Sequence, residues 1–147
     1  MKVEFVKFCQ KAIREKKKSI NLEIEAVRDS MGSDTKSSAG DKYETGREMM
    51  NQEKGKLESQ LSVLDRQLET LSKIKVNEKF DKVGLGALVR TTAASYFISI
   101  SYGEVKFNNE SVYLISAITP LAQLLMNKRK GDKIDWNGKS IVVQSIE

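Results

Sequence analysis

The chain has 147 residues, 39% apolar and 31% charged, with a formal net charge of +5, a length that fits one domain or two small ones. It holds no His and a single Cys, which excludes a His-based triad, a His general base, a zinc site of His or thiolate ligands, and an intramolecular disulfide. No apolar run is long enough to span a bilayer and no signal-peptide pattern opens the sequence, so the expectation is a cytoplasmic chain in which Cys9 stays reduced and acts as a small apolar residue on a helix.

The charge content is high for a compact globule and ordinary for a solvated helical hairpin. The basic excess is divided between the two halves of the chain and is compatible with nucleic-acid proximity. Val6, Ile13, Ile20 and Val27 recur every seven residues, with Ile24 and Met31 filling in, which predicts an amphipathic helix. A second seam, Met50, Leu57, Leu61, Leu64, Leu68 and Leu71, has the a/d spacing of a coiled coil. Between them Met31–Gly40 is small and polar and reads as the turn of a hairpin. Gly46 and Gly55 fall inside the second helix, where each costs about 1 kcal/mol relative to Ala.

Such a hairpin is either a dimerisation coiled coil or a probe whose tip acts. At the tip, Asp41 and Glu44 stand three apart at a helix start, which brings both carboxylates near one face. Two close carboxylates suit Mg²⁺, which takes oxygen ligands and keeps several waters. Asp-x-x-Glu is equally a capping box, and the two roles are compatible. Arg14, Lys17, Lys18 and Arg47 are candidate basic contacts for RNA or an acidic channel; a solvated helix face explains them as well.

Composition shifts near residue 76, from Lys, Glu, Gln and Leu to β-branched and aromatic residues punctuated by Gly and Asn. Residues 1–75 are therefore expected to form the hairpin, with its tip near 32–44, and residues 76–147 a β-rich domain. Strands are predicted over 87–91, 96–102 and 112–115, with a turn at Asn108-Asn109. Thr119-Pro120 opens a short helix, Thr as N-cap and Pro at the first helical position. Lys128-Arg129-Lys130 follows it, well placed for the helix dipole. Lys133–Trp136 and Ser140–Ile146 pair across Asn137-Gly138, the strongest two-residue hairpin signal. The expected fold is α+β: a helical hairpin, then a curled antiparallel sheet around one short helix.

The run from Ile115-Ser116 through Thr119-Pro120-Leu121-Ala122 to Lys128 and Gly131-Asp132 resembles the C-terminal signature of Gre-type bacterial transcription factors, roughly I-S-x-x-S-P-L-A-x-A-L-x-G-K-x-x-G-D. The resemblance is strongest over 112–147 and weaker before. It implies an FKBP-like C-terminal domain and an N-terminal antiparallel coiled coil. It also implies an accessory factor, not an enzyme: a monomer that binds bacterial RNA polymerase at the secondary channel and meets nascent RNA only indirectly. Ser116, Thr119, Pro120 and Leu121 would dock, and the tip acids would help hold the Mg²⁺ of the polymerase active centre while the polymerase cleaves backtracked RNA. The factor would carry no cofactor of its own. In the family's tip motif, G-D-x-x-E-N-A-E-Y, Gly40, Asp41 and Glu44 match. Thr45-Gly46-Arg47-Glu48 replaces the residues that follow, Tyr43 sits inside the acid pair, and Lys42 adds a positive charge. A non-cleaving channel binder is the alternative within this class. Outside it stand a structural coiled-coil protein, a prolyl isomerase and a nonspecific nucleic-acid binder.

Overall fold

The computed structural model describes residues 1–37 and 41–147, and the side chains of all of these except 33–37 and 41–44. Two helices come first, α1 (Lys2–Ser37) and α2 (Asp41–Ser72). Strands β1 (Leu88–Thr91), β2 (Ser95–Ser99), β3 (Gly103–Phe107) and β4 (Glu110–Ser116) follow, then helix α3 (Pro120–Leu125) and strands β5 (Lys133–Trp136) and β6 (Lys139–Ile146). The class is α+β, a helical hairpin followed by a six-stranded sheet with one short helix.

The chain divides into two compact units, Lys11–Leu68 and the combination of Met1–Gln10 with Glu69–Glu147. The composition boundary near residue 76 thus differs from the packing boundary. The first three turns of α1 and the end of α2 belong with the sheet, because their apolar side chains are buried there.

In the Lys11–Leu68 unit the predicted seams close on each other. Ile13, Ile20 and Ile24 of α1 and Leu57 and Leu64 of α2 are buried. Val27, Leu61 and Leu68 are half-buried. Lys17 on α1 pairs with Asp65 on α2. α1 is 36 residues long and runs through Ser37, over much of the stretch expected as a turn. Ser, Asp and Thr cost a helix interior only a few tenths of a kcal/mol each, and extending a formed helix is far easier than starting one. With no Pro to stop it, α1 continues through the polar residues Ser33–Ser37. Gly46 and Gly55 lie within α2 (32 residues), and a Cβ added at either would meet nothing within 4 Å.

In the other unit the strand order is β3-β4-β2-β1-β6-β5. All neighbours are antiparallel except β2 and β4, which run parallel with Phe97 opposite Leu114 and Ile98 opposite Ile115. The sheet is therefore mixed and not the antiparallel one expected. The physical reason is a skipped position: after β2 the chain crosses to the edge as β3, then turns back at Asn108-Asn109 so that β4 fills the gap. The strand expected over 96–102 ends at Ser99, and β3 is an unexpected edge strand in which only Val105 is buried. Asn108 and Asn109 (φ 51° and 63°) and Asn137 and Gly138 (φ 50° and 77°) take the left-handed conformation that tight hairpin turns require.

Both faces of the sheet centre are covered. Val89 of β1 and Ile98 of β2 join Ala122 and Leu125 of α3 in one core, with Val83, Ile134, Ile141 and Val143. Leu88 and Phe97, their neighbours in sequence, point the other way and are also fully buried. There Phe5 of α1 meets the Phe97 ring edge-on at 5.4 Å and the Phe107 ring at 5.7 Å. Lys2 is buried at 3% exposure, its ammonium donating to the carbonyls of Gly86 (3.1 Å) and Glu147 (3.2 Å) and lying 4.6 Å from the centre of the Phe80 ring. Burial pushes its pKa below the usual lysine value, against the opposing pull of Glu147 and Glu78. Gly86 (φ 89°) has Ile74 Cγ2 at 3.0 Å from where a Cβ would stand, so backbone conformation and packing both call for Gly.

Because the space beside Gly55 is open, Gly55→Ala is expected to raise the unfolding free energy by about 1 kcal/mol through helix propensity alone. Urea denaturation followed by circular dichroism measures it, and a loss of stability would show that α2 needs the glycine.

Candidate functional site

Three groups of side chains were candidates from the sequence. The loop between β4 and α3 is the most fully built. Thr119 is the N-cap of α3 (φ −68°, ψ 151°) and its Oγ1 accepts from the Ala122 N–H at 3.3 Å. The same hydroxyl donates to the Ser116 carbonyl at 2.8 Å, which also accepts the Thr119 N–H at 3.1 Å. Ser116 Oγ accepts from the Ile118 N–H at 3.4 Å, and Gln123 Nε2 donates to the Ala117 carbonyl at 2.6 Å. Pro120 occupies the first turn, where its missing N–H costs nothing. Ser116, Thr119, Pro120 and Leu121 are thus brought together, and these bonds tie the loop to α3.

What the tied loop presents is Ile118, 85% exposed, with Leu124 of α3 also exposed. Neither was singled out from the sequence. Ile118 falls at an unspecified position of the signature, and no periodicity in a loop of this kind marks a residue as outward. Beyond α3, the backbone N–H of Asn127 and carbonyl of Lys128 pair with Val83 at 2.9 and 2.8 Å. Arg129 donates through its guanidinium to Asp81 (3.1 Å) and through its backbone N–H to Asp132 (2.7 Å). Arg129 holds the exposed Asp81 carboxyl below the usual range. The run Lys128-Arg129-Lys130 therefore lies past the last turn of α3, and Arg129 braces two loops.

The basic candidates are placed differently from one another. Arg14, Lys17 and Lys18 line one shallow groove with Asn21, Leu22 and Glu25. Lys17 is engaged with Asp65 there, while Arg14 and Lys18 are exposed and Leu22 stands 59% exposed among them. Arg47 stands exposed on α2 and is not among the lining residues of that groove. The tip acids Asp41 and Glu44 lie outside the described side chains, so both their capping and their metal roles rest on the sequence. Among the described residues no cluster of His, Cys, Asp or Glu forms a metal site, and no helix is long and apolar enough to cross a membrane. The aromatic residues in which a prolyl-isomerase pocket could be sought are largely packed: Phe97 is buried, and Tyr96 and Trp136 pack against the sheet–α3 core. Burial and the neighbouring Tyr113 raise the Tyr96 pKa.

No family model matches the chain, and no curated protein does. Among solved structures, that of the transcription factor Gfh1 is similar, with 20% identity over 93% of this chain and 92% of that one, at a TM-score of 0.37.

Thr119→Ala removes the cap and one bond to Ser116, and should lower stability by about 1 kcal/mol. Ile118→Ser, at an exposed position, should leave stability within about 0.5 kcal/mol of the parent. Thermal or urea unfolding of the two variants tests the division of labour between the loop's scaffold and its outward residue.

Proposed function

We propose that this chain is a Gre-type transcription factor that binds bacterial RNA polymerase at its secondary channel and modulates elongation. The sheet unit docks through the loop of Ser116, Thr119, Pro120 and Leu121. The hairpin carries Asp41 and Glu44 to the active centre, where they help the polymerase hold Mg²⁺ while it hydrolyses backtracked RNA. A second metal there stabilises the attacking and leaving oxygens of the displacement, so the factor needs to supply only carboxylates. On this reading the chain is a cytoplasmic monomer, an accessory to hydrolysis with no reaction of its own, and it meets nascent RNA only indirectly.

The observation that carries the reading is the ordered stretch Ile115–Asp132. Its resemblance to the Gre signature is long, and its Ser, Thr and Pro build a loop tied to α3 that holds an isoleucine out to solvent. An exposed apolar residue on a preorganised loop suits a protein interface, because little conformational entropy remains to be lost on binding. Arg14 and Lys18, exposed on α1, are compatible with a path beside RNA phosphates. A second reading, a channel binder that does not promote cleavage, draws on Lys42 and on Thr45-Gly46-Arg47-Glu48, which replace family residues next to the acids.

RNA cleavage in a stalled, backtracked complex of the cognate polymerase decides between them. The parent protein should shorten the transcript, and Asp41→Ala with Glu44→Ala should bind equally but lose cleavage by at least tenfold. Binding without cleavage by the parent selects the second reading. Ile118→Asp should weaken polymerase binding at least tenfold, and no binding by the parent protein would refute both readings.

A further inference from the structure

The sheet ends at β3, the outermost strand in the order β3-β4-β2-β1-β6-β5. Asn108 and Asn109 (φ 51° and 63°) make a two-residue hairpin turn, with Phe107 opposite Glu110 across it. Such a turn makes the flanking pair a hydrogen-bonded one, and bonded and non-bonded pairs alternate along an antiparallel ladder. Val105, opposite Val112, therefore bonds inward to β4, while the backbone N–H and C=O groups of Glu104 and Lys106 point out of the sheet. No described hydrogen bond outside the β3–β4 ladder engages those backbone groups. Both side chains are exposed, and Val105 between them is buried. Ser111 Oγ donates to one oxygen of the Glu104 carboxylate at 2.7 Å and leaves the other open. An apolar margin lies beside this edge: Phe8, 41% exposed, stands against the half-buried Phe107 with ring centres 5.1 Å apart. An open strand edge is a template for another chain, and a charge on it usually repels a second copy. Here the two charges are of opposite sign, one on either side of Val105.

We propose that β3 is a self-complementary docking edge that takes β3 of a second copy of this chain, antiparallel, about a two-fold axis through Val105. Only residues whose backbone points outward can form the bonded pairs of the new ladder. Glu104 and Lys106 therefore allow three antiparallel registers. One sets Glu104 on Glu104, one sets Lys106 on Lys106, and the third sets Glu104 on Lys106 twice. Like charges directly opposite destabilise a cross-strand pair and opposite charges stabilise it, so the sequence selects the third. In that register Val105 faces Val105. Phe107 lies opposite Gly103 of the second copy, where a Cβ would meet nothing within 4 Å and a ring has room. The contact uses the same residues on both copies and closes after two. By the same alternation Lys133 and Asp135 point outward from β5 at the other edge. Full overlap of β3 with β5 would set Glu104 on Asp135 and Lys106 on Lys133, which opposes head-to-tail growth. A strand of five residues falls well short of a standard interface, so the dimer is weak and dissociates on dilution. Single copies, the form in the proposed function, then prevail. The edge is a property of the sheet unit and does not rest on polymerase binding.

Sedimentation equilibrium of the full chain tests the edge. The parent protein should pass from monomer to dimer between micromolar and millimolar concentration. Glu104→Lys leaves two lysines on the edge and Lys106→Glu leaves two glutamates, so every register becomes repulsive. Each change should raise the dissociation constant at least tenfold. An equimolar mixture of these two variants should associate again as heterodimers, because Lys then meets Glu at both positions. The variant carrying both changes should recover the parent's homodimer. Lys106→Pro removes an outward N–H without breaking a β3–β4 bond, and it should abolish the dimer. A parent protein that stays monomeric at millimolar concentration would overturn the proposal. So would a dimer that both single changes leave intact, which would be formed through β5 or the hairpin, or a mixture of the two variants that does not associate. The parent's dilution curve and Lys106→Pro remain readable even if a charge variant fails to fold.

Discussion

The sheet unit is governed by the burial of its central strands on both faces. Leu88 and Val89 are adjacent, point opposite ways and are both shielded from water, as are Phe97 and Ile98. A sheet with two apolar faces requires two covers. α3 supplies one through Ala122 and Leu125. The other comes from the first turns of α1, through Phe5, a residue far from the strands in sequence. The start of a long helix therefore belongs to the sheet's core, and the packing boundary falls inside α1 and α2 and not between them and the strands. That arrangement also accounts for a lysine in an apolar setting. Lys2 meets the main-chain oxygens of Gly86 and Glu147; the latter also accepts the Leu88 N–H, so it is the Gly86 carbonyl that Lys2 satisfies, and leaving it unpaired would cost about 1–3 kcal/mol.

The loop from Ser116 to Leu121 shows how scaffold and surface share one short stretch. Ser116, Thr119 and Pro120 fit a helix start, and that alone would explain their presence. Yet the same bonds leave the loop little freedom and hold Ile118 outward. A capping motif and a docking surface are two descriptions of the same residues, because a binding surface gains from being rigid before it binds. The hairpin works on a different principle. Its core is a single seam, with Ile13, Ile20, Ile24, Leu57 and Leu64 inside and charges outside. The open space at Gly46 and Gly55 means that helix packing does not explain these glycines.

The features visible in the sequence are those set by near neighbours. Heptad spacing marked the residues that close the hairpin, because side chains seven apart lie on one side of a helix. Asn137-Gly138 and Thr119-Pro120 marked a turn and a helix start, because φ and hydrogen-bonding limits act within two or three residues. The turn expected over Met31–Gly40 starts later than Met31 for the complementary reason, and its residues 38–40 lie outside the described residues. Small polar residues only weaken a helix, and α1 continued to Ser37.

What remained hidden depends on contacts between distant segments. The parallel pairing of β2 with β4, and the edge strand β3 that forces it, follow from which strand fills a gap, and no local pattern encodes that. Lys2 read as an ordinary charged residue at the start of a helix, and Ile118 as one apolar residue among many. Their burial and exposure follow from where the sheet places Gly86, Glu147 and the start of α3. The sequence by itself determined the hairpin, the β-rich remainder, the capped helix and the absence of His and disulfide chemistry. The tertiary structure alone decided the strand order, the cover on the second face and which side chains are turned to solvent, because each is settled by competition among distant apolar surfaces for a limited amount of core.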